Sequence, residues 1–547
     1  MNGPADVLIT NARIDPDGTG GPPGAQLAIS GTRVVAVGDD LEGLRGPGTR
    51  VVDLENRYVM PGFADVHTHH LLAGEADLFE LRISPAATLD EFLNRVAAHS
   101  AGLGPEEWVV GGDWGSGLLE AIDNPEALAR LDEATGGRPA MLRDDSKHNR
   151  WVSTAALAAA GITDATPDPD GGQILRDGAG RATGVLIEAG GLAVEAARSA
   201  TGDDSVERTA RASERGIEIL HSYGVTAFQD AAASLQLLQG LKHLDERGRL
   251  KAWVVTSMLA NDFIFGAEPL GEGIIERRDG YRSSHHRPDF IKIFLDGVPP
   301  TRSGAFLEPY LPDEAHGCDH RGQTTMGPEE LERWLLSTAE RGISAKIHCT
   351  GDASVRLVLD TVEKVRGRGF DGPRYHVAHG QFVHPDDIGR FAELGVDADI
   401  SPALWFPGVI AEAIATVLPH ERATRMQPNR DLLAAGAVLA GGSDWPVAES
   451  PNPWEAVYGL VTRQDPTGRF PGTLWPEQGI ELSQAIAAYT TSCVRAMGLD
   501  DVTGTLTPGL SADFVVLDES PYEVDIDRLP HFSAAQTWFA GEPVHSR

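Results

Sequence analysis

The sequence predicts an α/β protein: a (β/α)8 TIM-type barrel with a β-sandwich formed by both chain ends and an α/β insertion after the first barrel strand. Three observations carry this expectation. Eight short apolar runs alternate with longer helical patterns through the middle of the chain, and β-like runs broken by Gly, Pro and Asp crowd both ends. About 150 residues also separate the first two apolar runs, where a few would suffice.

At the N-terminal end, Val7 to Thr10, Gln26 to Ile29, Arg33 to Val37 and Arg50 to Asp53 read as the strands of a small antiparallel sheet. At the far end, Asp513 to Leu517 and Ala534 to Phe539 echo them. Neither piece could bury a face alone, so the two should pack together. The barrel strands are expected at Val59 to His69, Val225 to Gln229, Ala252 to Met258, Phe290 to Asp296, Ser344 to His348, Tyr375 to His379, Val396 to Ser401 and Val438 to Asp444. Helical spacing follows most of them, at Leu235 to Arg247, Pro328 to Arg341, Ala353 to Arg366, Pro385 to Leu394 and Ser483 to Met497. The resulting division is a composite sandwich from 1–58 and 500–547, a barrel from 59–71 and 206–499, and an inserted subdomain over the barrel mouth from 72–205.

Composition removes several functions. Lys and Arg number 46 against 80 Asp and Glu, a net charge of −34 that repels nucleic-acid backbones and anionic membrane surfaces. No apolar stretch approaches the roughly 20 residues a membrane helix needs. Met1 to Thr10 lacks the pattern of a secretory signal, so a cytoplasmic location is expected. Three scattered cysteines cannot frame a thiolate site, so any metal falls to the 18 histidines and the carboxylates.

The strongest motif is His67-Thr68-His69-His70 at the end of the first strand. Alternation along a strand turns His67 and His69 the same way, a ready pair of metal ligands, although two hydrogen-bonded rim histidines would look the same. Lys292 interrupts the apolar fourth strand and must be paired or neutralised there; a carbamate formed with carbon dioxide is one solution, a buried carboxylate partner another. His348 and His379 end the fifth and sixth strands, with His376 expected in packing. Asp444 follows Gly441-Gly442-Ser443, where it could approach a metal and accept a proton. Lys346, on the face of His348, could pair with Asp444 or turn outward.

The order His-x-His, Lys, His, His, Asp at the ends of strands one, four, five, six and eight resembles the amidohydrolase superfamily, and more narrowly the long branch that includes N-substituted formamide deformylases. The likeness extends to the tail, Gly504 to Leu517, and to Trp151 to Gly161 in the insertion. It implies that His67, His69 and Asp444 bind one divalent ion, and that carboxylated Lys292 bridges to a second held by His348 and His379. Zinc is the expected metal. It further implies hydrolysis of a C–N bond in an amide or N-substituted formamide by a metal-bridging hydroxide, with Asp444 as the catalytic proton carrier. Ester, lactone and cyclic-amide hydrolysis, a single-metal lyase, and a barrel that has lost its chemistry are the alternatives. Substrate contacts are expected at His70, Trp114, His148, Arg302 and Phe306. A small-molecule substrate is the only partner expected, apart from a homodimer, because barrels of this superfamily commonly pair.

Overall fold

The computed structural model describes residues 3–104, 107–200, 205–262, 264 and 266–547. Eight parallel strands pair in chain order at its centre: Phe63–Thr68, Val225–Ala233, Trp253–Leu259, His286–Phe294, Ser344–Cys349, Tyr375–His379, Val396–Ile400 and Leu439–Gly441. The first and eighth lie side by side, and backbone bonds from Asp444 N to His67 O (2.7 Å) and from His69 N to Trp445 O (2.8 Å) draw the ring nearly closed. The strands are buried on both faces, which is why they read as continuous apolar runs. On the fourth, Ile291 and Ile293 pack with the helix residues Leu331 and Leu335, whereas Phe290 joins Val66 and Val255 inside the ring. Alternation therefore turns Lys292 inward.

Two boundaries differ from the sequence expectation. The run Val59 to His69 is not one strand: Arg50–Pro61 belongs to the terminal sheet and Phe63–Thr68 opens the barrel. Gly62 makes the crossing, where a Cβ would sit only 2.3 Å from Thr226 Oγ1. Helical spacing over Ser483 to Met497 gives two helices, Leu482–Ala488 and Thr491–Ala496. Between them Tyr489 turns its carbonyl to Ala64 N (2.7 Å) and its hydroxyl to Gly442 O (3.2 Å), so tertiary bonds with the barrel replace the next helical turn.

Both chain ends build one seven-stranded sheet, in the order Glu542–Ser546, Gln536–Phe539, Phe514–Leu517, Arg50–Pro61, Val7–Ile14, Gln26–Ser30, Arg33–Gly38. It curls until Arg33 bridges to Ser511, enclosing a core that includes Ile9, Leu27, Val59, Phe514 and Trp538. Most of its pairs are antiparallel, but Val7–Ile14 and Arg50–Pro61 run parallel, a direction local alternation cannot reveal.

After the first barrel strand comes a separate six-stranded sheet, ordered Gly172–Arg176, Ala182–Glu188, Asn149–Val152, Ala140–Asp144, Val109–Trp114, Leu81–Arg82. Helix Leu89–Ser100 flanks it, started by a Thr88/Glu91 capping box, as does Pro125–Thr135, started by Asn124 and stopped at the left-handed Gly136. Buried charge ties this insertion down. Arg143 pairs with Glu80 (3.0 Å) and Glu195 (3.1 Å), and Arg150 reaches Glu195 (2.7 Å) and the carbonyl of Ile264 (2.5 Å). No helix among the described residues is long and apolar enough to cross a membrane.

Candidate metal centre at the barrel mouth

The C-terminal ends of five strands bring the predicted residues together. His67 and His69 project from the first strand as alternation requires, and both line a cavity of about 1010 Å³ with Lys292, His348, His379 and Asp444. Asp444 Oδ1 lies 3.3 Å from His69 Nε2 and 3.6 Å from His67 Nε2, and its Oδ2 is 3.9 Å from His379 Nδ1. The rings of His67 and His379, and of His379 and His348, are each centred 4.7 Å apart. His379 (φ 70°) and Asp444 (φ 55°) both hold left-handed backbone conformations, strain that a side chain tolerates where position matters more than comfort.

Glycine makes this approach possible. A Cβ on Gly442 would lie 2.4 Å from His67 Cβ. Gly442→Ala should therefore lower stability by about 1–3 kcal/mol through overpacking. A denaturant melt that matches wild type would contradict that reading.

Beneath the mouth, carboxylates fix the imidazoles. His67 Nδ1 donates to Asp399 Oδ2 (3.0 Å), and Lys346 donates to the same oxygen in a fully buried ion pair. His348 Nδ1 donates to Asp296 Oδ1 (3.2 Å). Asp296 is itself held by Thr350 N (3.0 Å), Gly351 N (3.0 Å), Ala305 N (3.0 Å) and Ser354 Oγ (2.7 Å). His379 Nδ1 meets Ser401 Oγ at 3.1 Å. Such contacts set the tautomer so that the opposite nitrogen can ligate. Burial is the main force pushing His67 and His379 well below their usual pKa, with the neighbouring lysines and histidines adding to it; burial lowers His348 as well, against Asp296. Neutral imidazole is the ligand form. Asp65, which accepts from His67 N (2.9 Å) and Ser443 Oγ (2.6 Å), is pushed up to about 7 by burial.

Lys292 is buried beside the cavity. Among the described residues it makes no ion pair; its ammonium sits 4.7 Å from the centre of the Phe294 ring. Burial first, and then repulsion from Lys346, bring its pKa down to about 8.

The remaining predicted contacts divide. Trp114 and His148 line the cavity from the insertion. His70 does not face it: the ring is fully buried, with Nδ1 on Asp230 (2.8 Å) and Nε2 on Ser213 (2.7 Å), because His70 opens a helix that turns away from the mouth. Arg302 pairs with Asp313 (2.9 Å), and Phe306 packs between Tyr310 and Phe382; both are outside the cavity lining and hold the loop after the fourth strand in place. Lys346 takes neither expected course, pairing inward with Asp399. His376 is buried on Ala496 O (3.0 Å), in packing as expected. Asp399, Asp296 and Asp65 were not among the residues expected from the sequence; Asp65, the one carboxylate of its strand, carried a local signal, whereas Asp399 shares its strand with Asp397.

His67, His69 and Asp444 offer three ligand atoms within 4.8 Å of one another, and His67 Nε2 is buried without a hydrogen-bond partner among the described residues. A divalent cation fits both facts. Fold and site together define a metal-dependent hydrolase built on a TIM-type barrel. The chain belongs to the amidohydrolase family, whose sequence profile matches residues 50–545. It is 28% identical to the N-substituted formamide deformylase of Arthrobacter pascens, over 98% of this chain and 97% of that one. It is 29% identical to Protein LONG AFTER FAR-RED 3 of Arabidopsis thaliana, over 99% and 92% respectively. Among solved structures, a metal-dependent hydrolase from Pyrococcus horikoshii superposes with a TM-score of 0.73 at 23% identity, covering 95% of this chain and 99% of that one; it shares the fold.

Proposed function

We propose that this protein hydrolyses the C–N bond of an amide or N-substituted formamide, with His67, His69 and Asp444 holding one divalent ion and Lys292, His348 and His379 serving a second. The observation that carries the reading is Asp444, whose Oδ1 faces the His67/His69 pair and whose Oδ2 faces His379 in the lining of the cavity. The likeness to a formamide deformylase over nearly the whole chain supports the bond type. Divalent ions here, zinc being the expected choice, would supply Lewis acidity and lower the pKa of bound water. Asp444 would accept a proton at the carboxylate and deliver it to the leaving nitrogen, and the surrounding strands would exclude bulk water.

A lysine needs a neutral amine to take up carbon dioxide, and a pKa near 8 makes that amine accessible near neutral pH. Lys292 therefore suits a carbamate ligand better than Lys346, which is committed to Asp399. Elemental analysis should find about two metal equivalents per chain in wild type expressed with bicarbonate, falling in Lys292→Ala. One equivalent, unchanged in the variant, would remove the bridging role. The activity itself is tested by incubating metal-loaded protein with N-substituted formamides, N-acyl amines, lactams and esters. Release of amine from the first two classes supports the proposal; turnover confined to lactams or esters replaces it.

A further inference from the structure

The cavity that holds the metal ligands has a volume of about 1010 Å³, at the top of the roughly 300–1,000 Å³ range of small-molecule sites. A short N-alkyl formamide would leave most of it empty. Its wall comes from three separate parts of the chain. The insertion supplies Leu118 and Leu119, the loop after the fourth barrel strand supplies Pro299, and the helix Val409–Val417, which follows the seventh strand, supplies Val409, Ile410 and Ala413. That helix packs against both the Ser116–Leu118 turn and the Pro299–Thr301 turn, so the three parts form one wall. Val409 is 49% exposed although it is large and apolar, and Leu118, Leu119 and Ile410 are half-buried. Singly such exposure is ordinary; gathered on one cavity wall, it is surface that an apolar ligand covers.

The charged side chains of the same wall are mostly acidic. Glu120 and Glu412 are exposed on the elements that carry Leu119 and Ile410. Asp145 accepts from Ser116 N (3.1 Å) and Ser116 Oγ (2.5 Å), and Asp123 from Thr183 Oγ1 (2.6 Å). Cations are scarce. Among the described residues the lining holds no arginine; Lys147 is paired with Asp113, His148 with Glu188 (2.7 Å), and Lys292 belongs to the proposed metal centre. A substrate carboxylate seated here would lose hydration and meet other carboxylates, with no guanidinium to receive it.

We propose that the substrate is an amide with a large apolar group and no carboxylate, the group seated between the insertion and the helix Val409–Val417, where Leu118, Leu119, Val409 and Ile410 set the preference. The assignment deepens the hydrolase reading above and rests on it for the amide. N-Acyl amino acids and peptides with a free C-terminus present the same scissile bond. The wall, not the metal centre, rejects them.

One test uses turnover and one does not. Metal-loaded protein should hydrolyse N-formylphenethylamine with a kcat/KM about tenfold or more above that for N-formylphenylalanine, which adds one carboxylate, and above that for N-methylformamide. Calorimetry then compares acetohydroxamic acid, octanohydroxamic acid and suberic acid monohydroxamate, three probes with one metal-binding head. Octanohydroxamic acid should bind about tenfold or more tighter than either of the others. Affinity equal to that of acetohydroxamic acid would overturn the apolar seat, and equal or tighter binding of the carboxylated probe would overturn the charge selection. Ile410→Arg and Leu119→Arg each place a cation on the wall and should shrink the ratio between the octanoyl and carboxylated probes. A wild-type ratio in both folded variants would contradict the placement. Absence of hydrolysis with the binding order intact would overturn the hydrolase reading alone.

Discussion

Asp444→Asn should reduce hydrolysis by roughly 10²–10⁴-fold, the range for a positioned proton-transfer group. The geometry leaves little room for substitution. The oxygens of Asp444 reach both His69 (3.3 Å) and His379 (3.9 Å), and its backbone is held in place by the bond from its amide to His67 O. Asn keeps the shape and loses the charge and the basic oxygen, so the variant should fold with wild-type melting behaviour, bind metal more weakly and turn over slowly. Steady-state kinetics on protein with measured metal content separates the two losses. Full activity in Asp444→Asn would show that the proton travels through another group.

Lys346→Met should be the most destabilising single change near the site, at about 3–5 kcal/mol. It strips the counter-charge from Asp399, which is fully buried and shares one oxygen between Lys346 and His67. A buried carboxylate without its cation costs far more than the pair itself contributes. Replacing both residues, as Lys346→Met with Asp399→Leu, should restore most of the stability because apolar groups fill the same space. The double variant should still bind metal roughly 10–100-fold more weakly than wild type, since His67 would lose the acceptor that fixes its ring. Chemical denaturation and metal titration of the three proteins read both effects. Equal stability of Lys346→Met and wild type would mean that the ion pair is dispensable.

Much of this site was legible in the chain because strand period two and barrel topology act together. Once His67 and His69 share a face and the strand ends gather at one mouth, the positions of His348, His379 and Asp444 follow from order alone. The supporting groups were harder to see. Asp399 and Asp296 gain their meaning from neighbours 332 and 52 positions away in sequence, and nothing local marks a carboxylate as the partner of a particular histidine. Lys346 shows the same limit: its face was predictable, its partner was not. His70 failed for another reason, since it begins a helix and the extended run that carries His67 and leads into His69 ends before it. The break at Gly62 was hidden because the apolar end of one strand, Val59 to Pro61, runs directly into the next, which belongs to a different sheet.

Reconstitution of metal-stripped protein tests the central claim most directly. Zinc added in known increments should be bound, and amide hydrolysis should return in proportion until the site fills, in wild type but not in His67→Ala or Asp444→Ala. Hydrolysis that persists in the stripped protein, or zinc bound equally well by wild type and both variants, would contradict a metal centre built on these residues.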